Sequence, residues 1–419
     1  MHILDNLHQR GLIQDIVKEA ALRALMSQQP IKVYCGVDPT GDSLHIGHLF
    51  PFLTLKRLQN AGHKPIVLVG GFTASCGDPS FKSAERQKLP LETLSQWSDK
   101  LTQQLTKLLS FEGENAAQLV NNKSWFDNMP VQFFLRDIGR HFSVNNMIKK
   151  ASVVSRLNND KQGMSFTEFS YSLLQGYDFA HLYNTENCQL QIGGSDQFGN
   201  IVSGIELAKR LHGADVFGFT QPLMTKADGQ KFGKTETGTI WLDGNKTSPY
   251  SFYQFWLNTS DDDVEKLLKA YTFLPLSDIA DVMAKHQHAP EQRLAQALLA
   301  KDVTCLIHGN AAFNSAKRIS ELLFKGEVSA LSKEDFTQLS RADIKTVVVN
   351  QSQHSLSDVL LQGKLVKSKS QARQLISSNA IKVNGSTRQT PLLTKADALH
   401  GKYALISKGK KAFCLAKIN

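Results

Sequence analysis

The amino acid sequence predicts a doubly wound α/β domain, followed by a helical domain and a small α/β module. Residues 31–37 and 65–71 are apolar runs typical of strands buried in a parallel sheet. A helix is expected between them, and further strand and helix patterns follow. Strand, helix and strand in this order build a parallel sheet, whose ligands bind beyond the carboxyl ends of the strands.

The connecting helix is predicted from the spacing of its apolar residues. Leu49, Phe52 and Leu53 fall on one helical face, and Gly62 is expected to end the helix. Its polar residues are expected on the other faces: Lys56, Arg57, Gln59 and Asn60.

The later segments complete the predicted domain order. A strand at 189–192 and helices around 168–180 and 200–212 continue the alternation, whereas 262–325 has helical spacing only. Residues 329–350 are polar and weakly patterned, which is typical of a linker. The predicted domains are 1–225 (α/β), 226–328 (a loop and helical domain), 329–350 (linker) and 351–419 (small α/β module).

The positive charge is concentrated in the last module. The chain has 419 residues and a formal net charge of +10. Residues 351–419 hold ten Lys and two Arg against Asp358 and Asp397, so the first 350 residues are formally neutral. A compact basic module on a neutral body indicates a polyanionic partner, and a solubilising surface is the alternative.

Cysteine usage and hydropathy indicate a cytosolic protein. The five cysteines are odd in number, scattered and lack a C-x-x-C pair, which argues against a disulfide framework or a zinc site and favours reduced thiols. The amino terminus lacks a basic start followed by an apolar run, and no segment approaches about 18 consecutive apolar residues. We expect no secretory signal and no membrane span.

A short motif marks the start of the first predicted helix. The sequence lacks a G-x-G motif, and Asp228 stands where a P-loop ending at Lys234 would need its first glycine. Instead, His45-Ile46-Gly47-His48 follows a strand and turn. A helix N-terminus with two imidazoles can face an anion, and Gly47 leaves room for a base or sugar. A metal-binding histidine pair and plain surface residues are the alternatives.

A second motif lies after the predicted sheet, at Lys231-Phe232-Gly233-Lys234-Thr235. Two lysines on a glycine-containing loop can close over a polyphosphate and stabilise charge that develops in a transition state. The alternative is a solvated basic turn.

Seven motifs in order resemble those of bacterial tyrosyl-tRNA synthetases along nearly the whole chain. They are residues 34–40 (YCGVDPT), 45–48 (HIGH), 77–80 (GDPS), 166–171 (FTEFSY), 175–178 (QGYD), 193–197 (GGSDQ) and 231–235 (KFGKT). The resemblance implies a class I synthetase with a Rossmann-like catalytic domain, a helical domain, a C-terminal S4-like RNA-binding domain and a homodimer. It also implies ATP with Mg²⁺, L-tyrosine and tRNA(Tyr) as substrates, with no structural metal and no membrane association.

The resemblance assigns roles to individual positions. Tyr34 and Asp178 would meet the tyrosine hydroxyl, and the remaining tyrosine contacts would be Asp38, Asp78, Tyr171, Gln175, Gln191 and Gln197. ATP would contact Thr40, His45, Gly47, His48 and Asp196. The departing pyrophosphate would contact Lys82, Arg86, Lys231, Lys234 and Thr235. The dimerisation segment would be about 125–160, with Phe133, Phe134, Phe142 and Val144 as candidates. The candidates for RNA phosphate contact are Lys367, Lys369, Arg373, Lys382, Lys408, Lys410 and Lys411.

Three departures from the family pattern stand out: residues 72–76 read FTASC where ATGLI is usual, Phe198 replaces a tryptophan, and Ser370 replaces a basic residue. The competing interpretations are an adenylyltransferase, a synthetase for tryptophan, and a non-catalytic RNA-binding protein. A small adenylyltransferase needs no basic tail, and a tryptophan pocket has no use for Asp178. Retention of both lysines and both histidines argues against the non-catalytic alternative.

Overall fold

The structure is a computed structural model that describes residues 1–80, 88–158, 163–227, 229, 232–235, 238–342, 344–350, 353–388, 390–409 and 412–418. It forms two compact units. The first comprises Met1–Gly233 with Lys266–Ile279, and the second comprises Lys234–Glu265 with Ala280–Asn419.

The first unit is built on a parallel five-stranded sheet in the order β3-β2-β1-β4-β5. Its strands are β1 (Lys32–Val37), β2 (Lys64–Val69), β3 (Gln118–Asn121), β4 (Cys188–Gly194) and β5 (Phe217–Gln221). β1 and β4 are neighbours in the sheet although they are distant in sequence, so the winding direction reverses between them. The predicted doubly wound fold is confirmed.

Eleven described helices accompany this sheet, among shorter 3₁₀ and π turns. They are α1 (Ile3–Gln9), α2 (Glu19–Gln28), α3 (Ile46–Asn60), α4 (Thr73–Cys76), α5 (Leu91–Leu105), α6 (Lys123–Phe126), α7 (Val131–Phe133), α8 (Val144–Met147), α9 (Ala151–Leu157), α10 (Phe166–Glu186) and α11 (Phe198–His212). The long helix α10 begins at a capping box between Ser165 and Glu168. The carboxylate of Glu168 also accepts two hydrogen bonds from the buried Arg156, at 2.8 and 2.9 Å. This ion pair fixes the start of the helix.

The remaining helices are α12 (Pro249–Leu257), α13 (Asp261–Tyr271), α14 (Leu276–His288), α15 (Leu294–Lys325), α16 (Lys333–Ser340), α17 (Leu356–Gln362) and α18 (Lys369–Ser377). Strands β6 (Lys234–Thr235) and β7 (Gly238–Thr239) form a short hairpin. The last strands are β8 (Lys345–Val349), β9 (Gln353–Ser355), β10 (Ile381–Val383), β11 (Ser386–Thr387), β12 (Leu392–Thr394), β13 (Tyr403–Lys408) and β14 (Ala412–Ile418).

The C-terminal module has a mixed sheet in the order β11-β10-β13-β14-β8. The β8–β14 pair is parallel and the other pairs are antiparallel. The turn between β10 and β11 contains Asn384 and Gly385, both with positive φ, as expected for an Asn-Gly hairpin. One apolar cluster joins α17 and α18 to this sheet, so the module has its own core.

The segment 329–350, whose weak pattern predicted a linker, contains α16 and β8. Ser332 and Asp335 form a capping box at the start of α16, and Arg318 pairs with the buried Asp335 at 2.6 Å. β8 alternates exposed and buried residues as the edge strand of the C-terminal sheet. Its sequence, Lys-Thr-Val-Val-Val, does not alternate polar and apolar residues, so periodicity did not distinguish this edge strand from a linker.

Helix α3 departs from its predicted polar face. Arg57 and Gln59 are 5% and 2% exposed, although their residue types suggested solvent. Gln59 donates to the carbonyl oxygens of Ser110 and Asn115, and Arg57 donates to carbonyl oxygens near the end of α13. Each side chain is buried and donates to backbone carbonyl oxygens of distant segments, which a local sequence pattern does not reveal.

The buried His63 and the partly buried His308 predict a loss of stability in acid. Burial lowers the pKa of His63 to about 4 and that of His308 to about 4, whereas a free histidine titrates near 6.5. Between these values the unfolded chain binds protons that the folded chain does not. Each histidine therefore makes its full contribution to the free energy of unfolding above about pH 6.5. This contribution is lost as the pH falls towards 4, by at most roughly 3 kcal/mol per histidine.

His63→Asn tests this expectation, because an amide oxygen can replace Nδ1 as the acceptor for the backbone N–H of Ile31. Urea unfolding at pH 5.0 and 7.5 should give a smaller difference in unfolding free energy for this variant than for the unmodified protein. His288→Asn, at an exposed position, is the control. An unchanged pH difference in His63→Asn would contradict the assignment.

Candidate functional site

The candidate site lies where the winding direction of the first sheet reverses. Tyr34 lies within β1, and Asp38 directly follows that strand. Gln191 lies beside Tyr34 on β4. Helix α10 contributes Tyr171, Gln175 and Asp178, whose spacing of four and three residues places them on one helical face. The structure thus brings together the residues that the sequence predicted for tyrosine binding.

One end of the site is a buried carboxylate. Asp178 is 2% exposed, and it accepts hydrogen bonds from Trp125 Nε1 at 2.9 Å and Asn122 Nδ2 at 3.2 Å. Burial raises the pKa of Asp178 well above its usual range, these two hydrogen bonds oppose the rise, and the charge of Asp38 adds to it. The carboxyl group is therefore held in one orientation by two fixed donors.

The phenol of Tyr34 lies near this carboxylate. Its side chain is 1% exposed, and its hydroxyl has no hydrogen-bond partner among the residues that the structure describes. Burial, and then the charge of Asp178, raises the pKa of Tyr34 well above its usual value. A buried hydroxyl without a partner costs free energy, so it suits a ligand that brings a hydroxyl of its own.

Two amide oxygens of the candidate site are similarly unpaired. Gln175 Oε1 and Gln191 Oε1 are buried, and neither has a hydrogen-bond partner in the described part of the chain. Both are acceptors, so they suit a ligand that donates hydrogen bonds.

The other end of the site is rich in carboxylates. Tyr171 donates to Asp38 Oδ2 at 2.8 Å, and Gln197 Nε2 donates to Asp78 Oδ2 at 2.8 Å. Burial raises the pKa of Tyr171 well above its usual value, and the charges of Asp38, Asp78 and Asp178 add to the rise. The carboxylates of Asp38 and Asp78 at this end make the region favourable for a cation such as an ammonium group.

A hydrogen-bond network joins the two ends. Asn122 Nδ2 donates to Thr73 Oγ1 at 2.9 Å as well as to Asp178, and Thr73 Oγ1 donates to Asp38 Oδ1 at 2.7 Å. Phe72 stacks on Phe126, with ring centroids 4.7 Å apart. The unusual residues at 72–76 therefore retain the threonine that the network uses, and the aromatic side chain finds its own packing partner.

Sequence reasoning missed Asn122, Trp125 and Thr73. Asn122 and Trp125 follow β3, a four-residue edge strand without a strong apolar pattern. Asn122 is fully buried, which is unusual for asparagine outside a network. An asparagine and a tryptophan close after a strand of a doubly wound sheet are the available signal, because side chains at that edge line the ligand crevice.

The His45–His48 motif forms the start of α3. His45 is the N-cap, and its Nδ1 accepts from the backbone N–H groups of Gly47 and His48 at 3.1 and 3.3 Å. The imidazoles of His45 and His48 stack with centroids 3.7 Å apart. A Cβ at position 47 would lie 2.9 Å from the ring of His45, so Gly47 is needed for the cap itself. His45 therefore uses Nδ1 for the helix and carries its neutral-state proton on Nε2.

Two further candidates for ATP contact flank this region. Thr40 is exposed after β1, and its N–H donates to the carbonyl of Asp38 at 2.8 Å. Asp196 lies in the turn after β4, where Gln197 Nε2 donates to its Oδ2 at 3.1 Å. Both positions follow strands that border the reversal point. Phe198, the departure from tryptophan, starts α11 and is 39% exposed.

Several predicted residues lie outside the described part of the chain: Lys82, Arg86, Lys231, Lys410 and Lys411. Of Lys234 and Thr235 the backbone is described, as strand β6. Within the described residues, no group of three or more His, Cys, Asp or Glu could hold a metal ion. In the same residues, no helix is long and apolar enough to span a membrane.

The basic candidates of the C-terminal module lie on neighbouring elements. Lys367 precedes α18, Lys369 and Arg373 lie on it, and all three are exposed. Lys369 also pairs with Asp358 at 2.6 Å. Lys382 and Lys408 lie on the adjacent strands β10 and β13. Ser370, the departure from a basic residue, is exposed within α18.

The predicted dimerisation segment presents apolar side chains to solvent. Val144 is 59% exposed and Phe133 is 36% exposed. Phe134 and Phe142, in contrast, are partly buried and pack against the apolar cluster that includes Tyr34. Other exposed apolar residues of this region are Val131, Leu135, Ile148, Val154 and Leu157.

Comparison with known proteins is consistent with this geometry. Residues 26–325 match the family of class I tRNA synthetases (W and Y), and residues 335–416 match the tyrosine–tRNA ligase SYY-like C-terminal domain. The tyrosine–tRNA ligase of Escherichia fergusonii is 51% identical over 417 residues, which cover 99% of this chain and 98% of that protein.

Solved structures agree. A C-terminally truncated mitochondrial tyrosyl-tRNA synthetase of Aspergillus nidulans is 31% identical, with a TM-score of 0.70, and covers 77% of this chain and 94% of its own. The C-terminally truncated mitochondrial tyrosyl-tRNA synthetase of Coccidioides posadasii is 32% identical, with a TM-score of 0.68. The match covers 76% of this chain and 91% of that chain. The resemblance that the seven sequence motifs indicated is thereby confirmed, and the chain belongs to the tyrosine–tRNA ligase family of class I tRNA synthetases.

Proposed function

We propose that this chain activates L-tyrosine with ATP to give tyrosyl-adenylate and pyrophosphate, and then transfers tyrosine to the 3′-terminal adenosine of tRNA(Tyr). The observation that carries this proposal is the presence of two polar groups in one site. These are a buried Asp178 carboxylate that two donors orient and a Tyr34 hydroxyl that has no hydrogen-bond partner among the described residues. Together they offer one acceptor and one donor to a phenol hydroxyl, which distinguishes tyrosine from phenylalanine and tryptophan.

The amino acid is held at both ends. Its hydroxyl meets Asp178 and Tyr34, and its ammonium group meets the carboxylate-rich end formed by Asp78, Tyr171 and Gln175. Asp38, Gln191 and Gln197 line the same pocket. Support comes from the carboxylates of Asp38 and Asp78, which add to the effect of burial on the pKa of Tyr171. The unpaired oxygen atoms of Gln175 and Gln191 can accept donors such as an ammonium N–H.

ATP lies against the start of α3. His45, His48 and Thr40 meet the phosphates, and Gly47 and Asp196 line the adenosine side. The cations Lys82, Arg86, Lys231 and Lys234 act with Thr235 on the departing pyrophosphate. The positive end of the α3 dipole favours an anion here. Mg²⁺ enters with ATP as part of the substrate.

The chemical step needs no covalent enzyme intermediate. The carboxylate of tyrosine attacks the α-phosphate, the bond to the β-phosphate oxygen breaks, and pyrophosphate leaves with that electron pair. The protein positions the two reactants and stabilises charge that develops on the phosphates.

The C-terminal module captures the RNA through Lys367, Lys369, Arg373, Lys382, Lys408, Lys410 and Lys411. Residues 1–225 form the catalytic domain, 226–328 the signature loop and helical domain, and 351–419 the RNA-binding domain, with 329–350 joining them through α16 and β8. The exposed apolar residues around Val131 and Val144 support a homodimer through the segment 125–160. The enzyme acts in the cytoplasm.

Exchange of labelled pyrophosphate into ATP tests the proposed activity. It should depend on tyrosine, and phenylalanine and tryptophan at the same concentration should support little exchange. Equal exchange with tryptophan would favour a tryptophan enzyme, and no exchange with any amino acid would refute the proposed activation.

Tyr34→Phe should narrow the preference for tyrosine over phenylalanine. The substitution keeps the ring, which packs 5.3 Å from that of Phe179, and removes one of two polar partners of the substrate hydroxyl. A pocket built to bond a hydroxyl rejects the analogue that lacks it, and this enzyme family is the standard example. Loss of one such bond should reduce the ratio of kcat/KM values for the two amino acids about 2- to 10-fold.

Tyr250→Phe, at a buried tyrosine in the second unit, is the matched control and should leave the ratio unchanged. An unchanged ratio in Tyr34→Phe as well would show that Tyr34 is not a hydroxyl contact.

A further inference from the structure

The C-terminal end of α13 is anchored in the first unit by two arginines. Arg57 Nη2 donates to the carbonyl oxygens of Ala270 at 3.0 Å and Thr272 at 2.5 Å. Arg10 Nη1 donates to the carbonyl of Lys269 at 3.1 Å. The last carbonyl groups of a helix lack partners within it, and cations suit the negative end of its dipole. Tyr271, the last residue of this helix, is therefore fixed in place.

Tyr271 reaches the first of the two ATP motifs. Its side chain is fully buried, and its hydroxyl donates to the carbonyl oxygen of Ile46 at 3.1 Å. Ile46 is the second residue of the His45–His48 motif and the first residue of α3. The ring of Tyr271 also lies 5.8 Å from that of Phe50, one turn further along the helix. The phenol thus fixes the turn that carries both histidines.

The same side chain contacts the second motif. The ring of Phe232 lies 5.8 Å from that of Tyr271 on a tilt of 40°. The next residue, Gly233, has φ +88°, and a Cβ there would come within 2.8 Å of Ile46 Cγ1. Phe232 and Gly233 belong to the signature loop, so this loop packs on Tyr271 and on Ile46 together.

We propose that Tyr271 is a positioning residue that sets the geometry of the two ATP motifs relative to each other. Its hydroxyl orients the start of α3, and its ring provides the surface on which Phe232 packs. The inference rests on the proposed function, in which both motifs contact the same triphosphate. Since activation depends on the relative placement of groups on that triphosphate, a small displacement of either motif lowers the rate. The amino acid pocket uses other residues, so tyrosine binding is not affected.

Tyr271→Phe tests the hydroxyl and keeps the ring. Single-turnover formation of tyrosyl-adenylate is measured per active site, with active sites counted from the stoichiometric burst of adenylate. The rate constant should fall about 2- to 10-fold, as for loss of one buried hydrogen bond. The KM and dissociation constant for tyrosine should stay the same. A purely structural effect would lower the melting temperature and the number of active sites, and the rate per site would not change.

Tyr250→Phe serves again as the matched control, and its rate per site should equal that of the unmodified protein. Tyr271→Leu and Phe232→Leu test the ring contact. Both substitutions remove the same ring contact. The rate constant per site of the double variant should therefore fall by less than the product of the two single losses.

The outcomes separate the two proposals. If the unmodified chain forms no tyrosyl-adenylate, the proposed function fails. If it does, an unchanged rate per site in Tyr271→Phe, or a parallel loss of tyrosine affinity, overturns the positioning role. If the rate loss of the double leucine variant equals the product of the two single losses, the proposed packing of Phe232 on Tyr271 is overturned.

Discussion

Asp178→Ala is expected to abolish most tyrosine activation, with a fall in kcat/KM of roughly 10²- to 10⁴-fold. A hydrogen bond to a charged group contributes about 1.5–3 kcal/mol, and each buried donor left unpaired costs about 1–3 kcal/mol. The substitution removes the proposed acceptor for the substrate hydroxyl. It also removes the carboxylate that accepts from Trp125 Nε1 and Asn122 Nδ2. Tyrosine-dependent pyrophosphate exchange, corrected for active sites, measures the effect.

Asp335→Ala is the matched control, because Asp335 is also a buried aspartate that accepts several hydrogen bonds. It lies in the second unit, beside Arg318. We expect this variant to lose stability but to keep its kcat/KM per active site. Activation by Asp178→Ala within about threefold of the unmodified rate would exclude Asp178 as the acceptor for the hydroxyl.

Truncation after Gly326 is expected to retain pyrophosphate exchange and to reduce aminoacylation of tRNA(Tyr) by about 10²-fold or more. The predicted contacts to tyrosine and ATP all precede residue 236, whereas the charge excess lies after residue 350. Each neutralised phosphate contributes about −0.7 to −0.9 to the slope of log affinity against log salt. The truncated chain should therefore lose most of this slope.

The choice of cut follows from the structure. Gly326 caps α15, and the following residues up to 350 contain α16 and β8. A cut after residue 350 would leave β8 without its partner β14. The triple variant Lys367→Gln, Arg373→Gln, Lys382→Gln provides the full-length comparison and should reproduce part of the loss. Full aminoacylation by the truncated chain, with unchanged salt dependence, would contradict RNA binding by the C-terminal module. The module would then act only as a solubilising surface.

Much of the fold could be predicted because its strongest patterns are local. β1 and β2 are apolar runs, and β4 alternates glutamine with apolar residues. Helices α10 and α11 have long helical spacing, so the alternation of strand and helix was recognisable. β3, β5 and β8 were not predicted. All three lie at a sheet edge, and the burial of β3 and β8 is incomplete. Burial of this kind depends on the neighbouring strand, which local periodicity does not report.

For the candidate site, the predicted residues were those that occur in short motifs. Tyr34, Asp38 and Asp178 could be located through such motifs, and the structure places them together. Asn122 and Trp125 orient Asp178 from a segment that contains none of the seven motifs. Tyr271 reaches Ile46 across 225 positions of sequence. Residues of this kind act through contacts made only after the chain folds, so motif-based reasoning does not find them.

The parallel pairing of β8 with β14 has a consequence for folding during synthesis. Ile418 lies opposite Val349, and Cys414 opposite Lys345, so the ribosome makes these partners far apart in time. The first unit obtains all five strands of its sheet by residue 221 and can fold early. β8 must wait with an unpaired edge until β14 emerges, and closing such distant contacts is slow. The nascent chain can therefore complete the parallel sheet of its first unit well before the sheet of its C-terminal module.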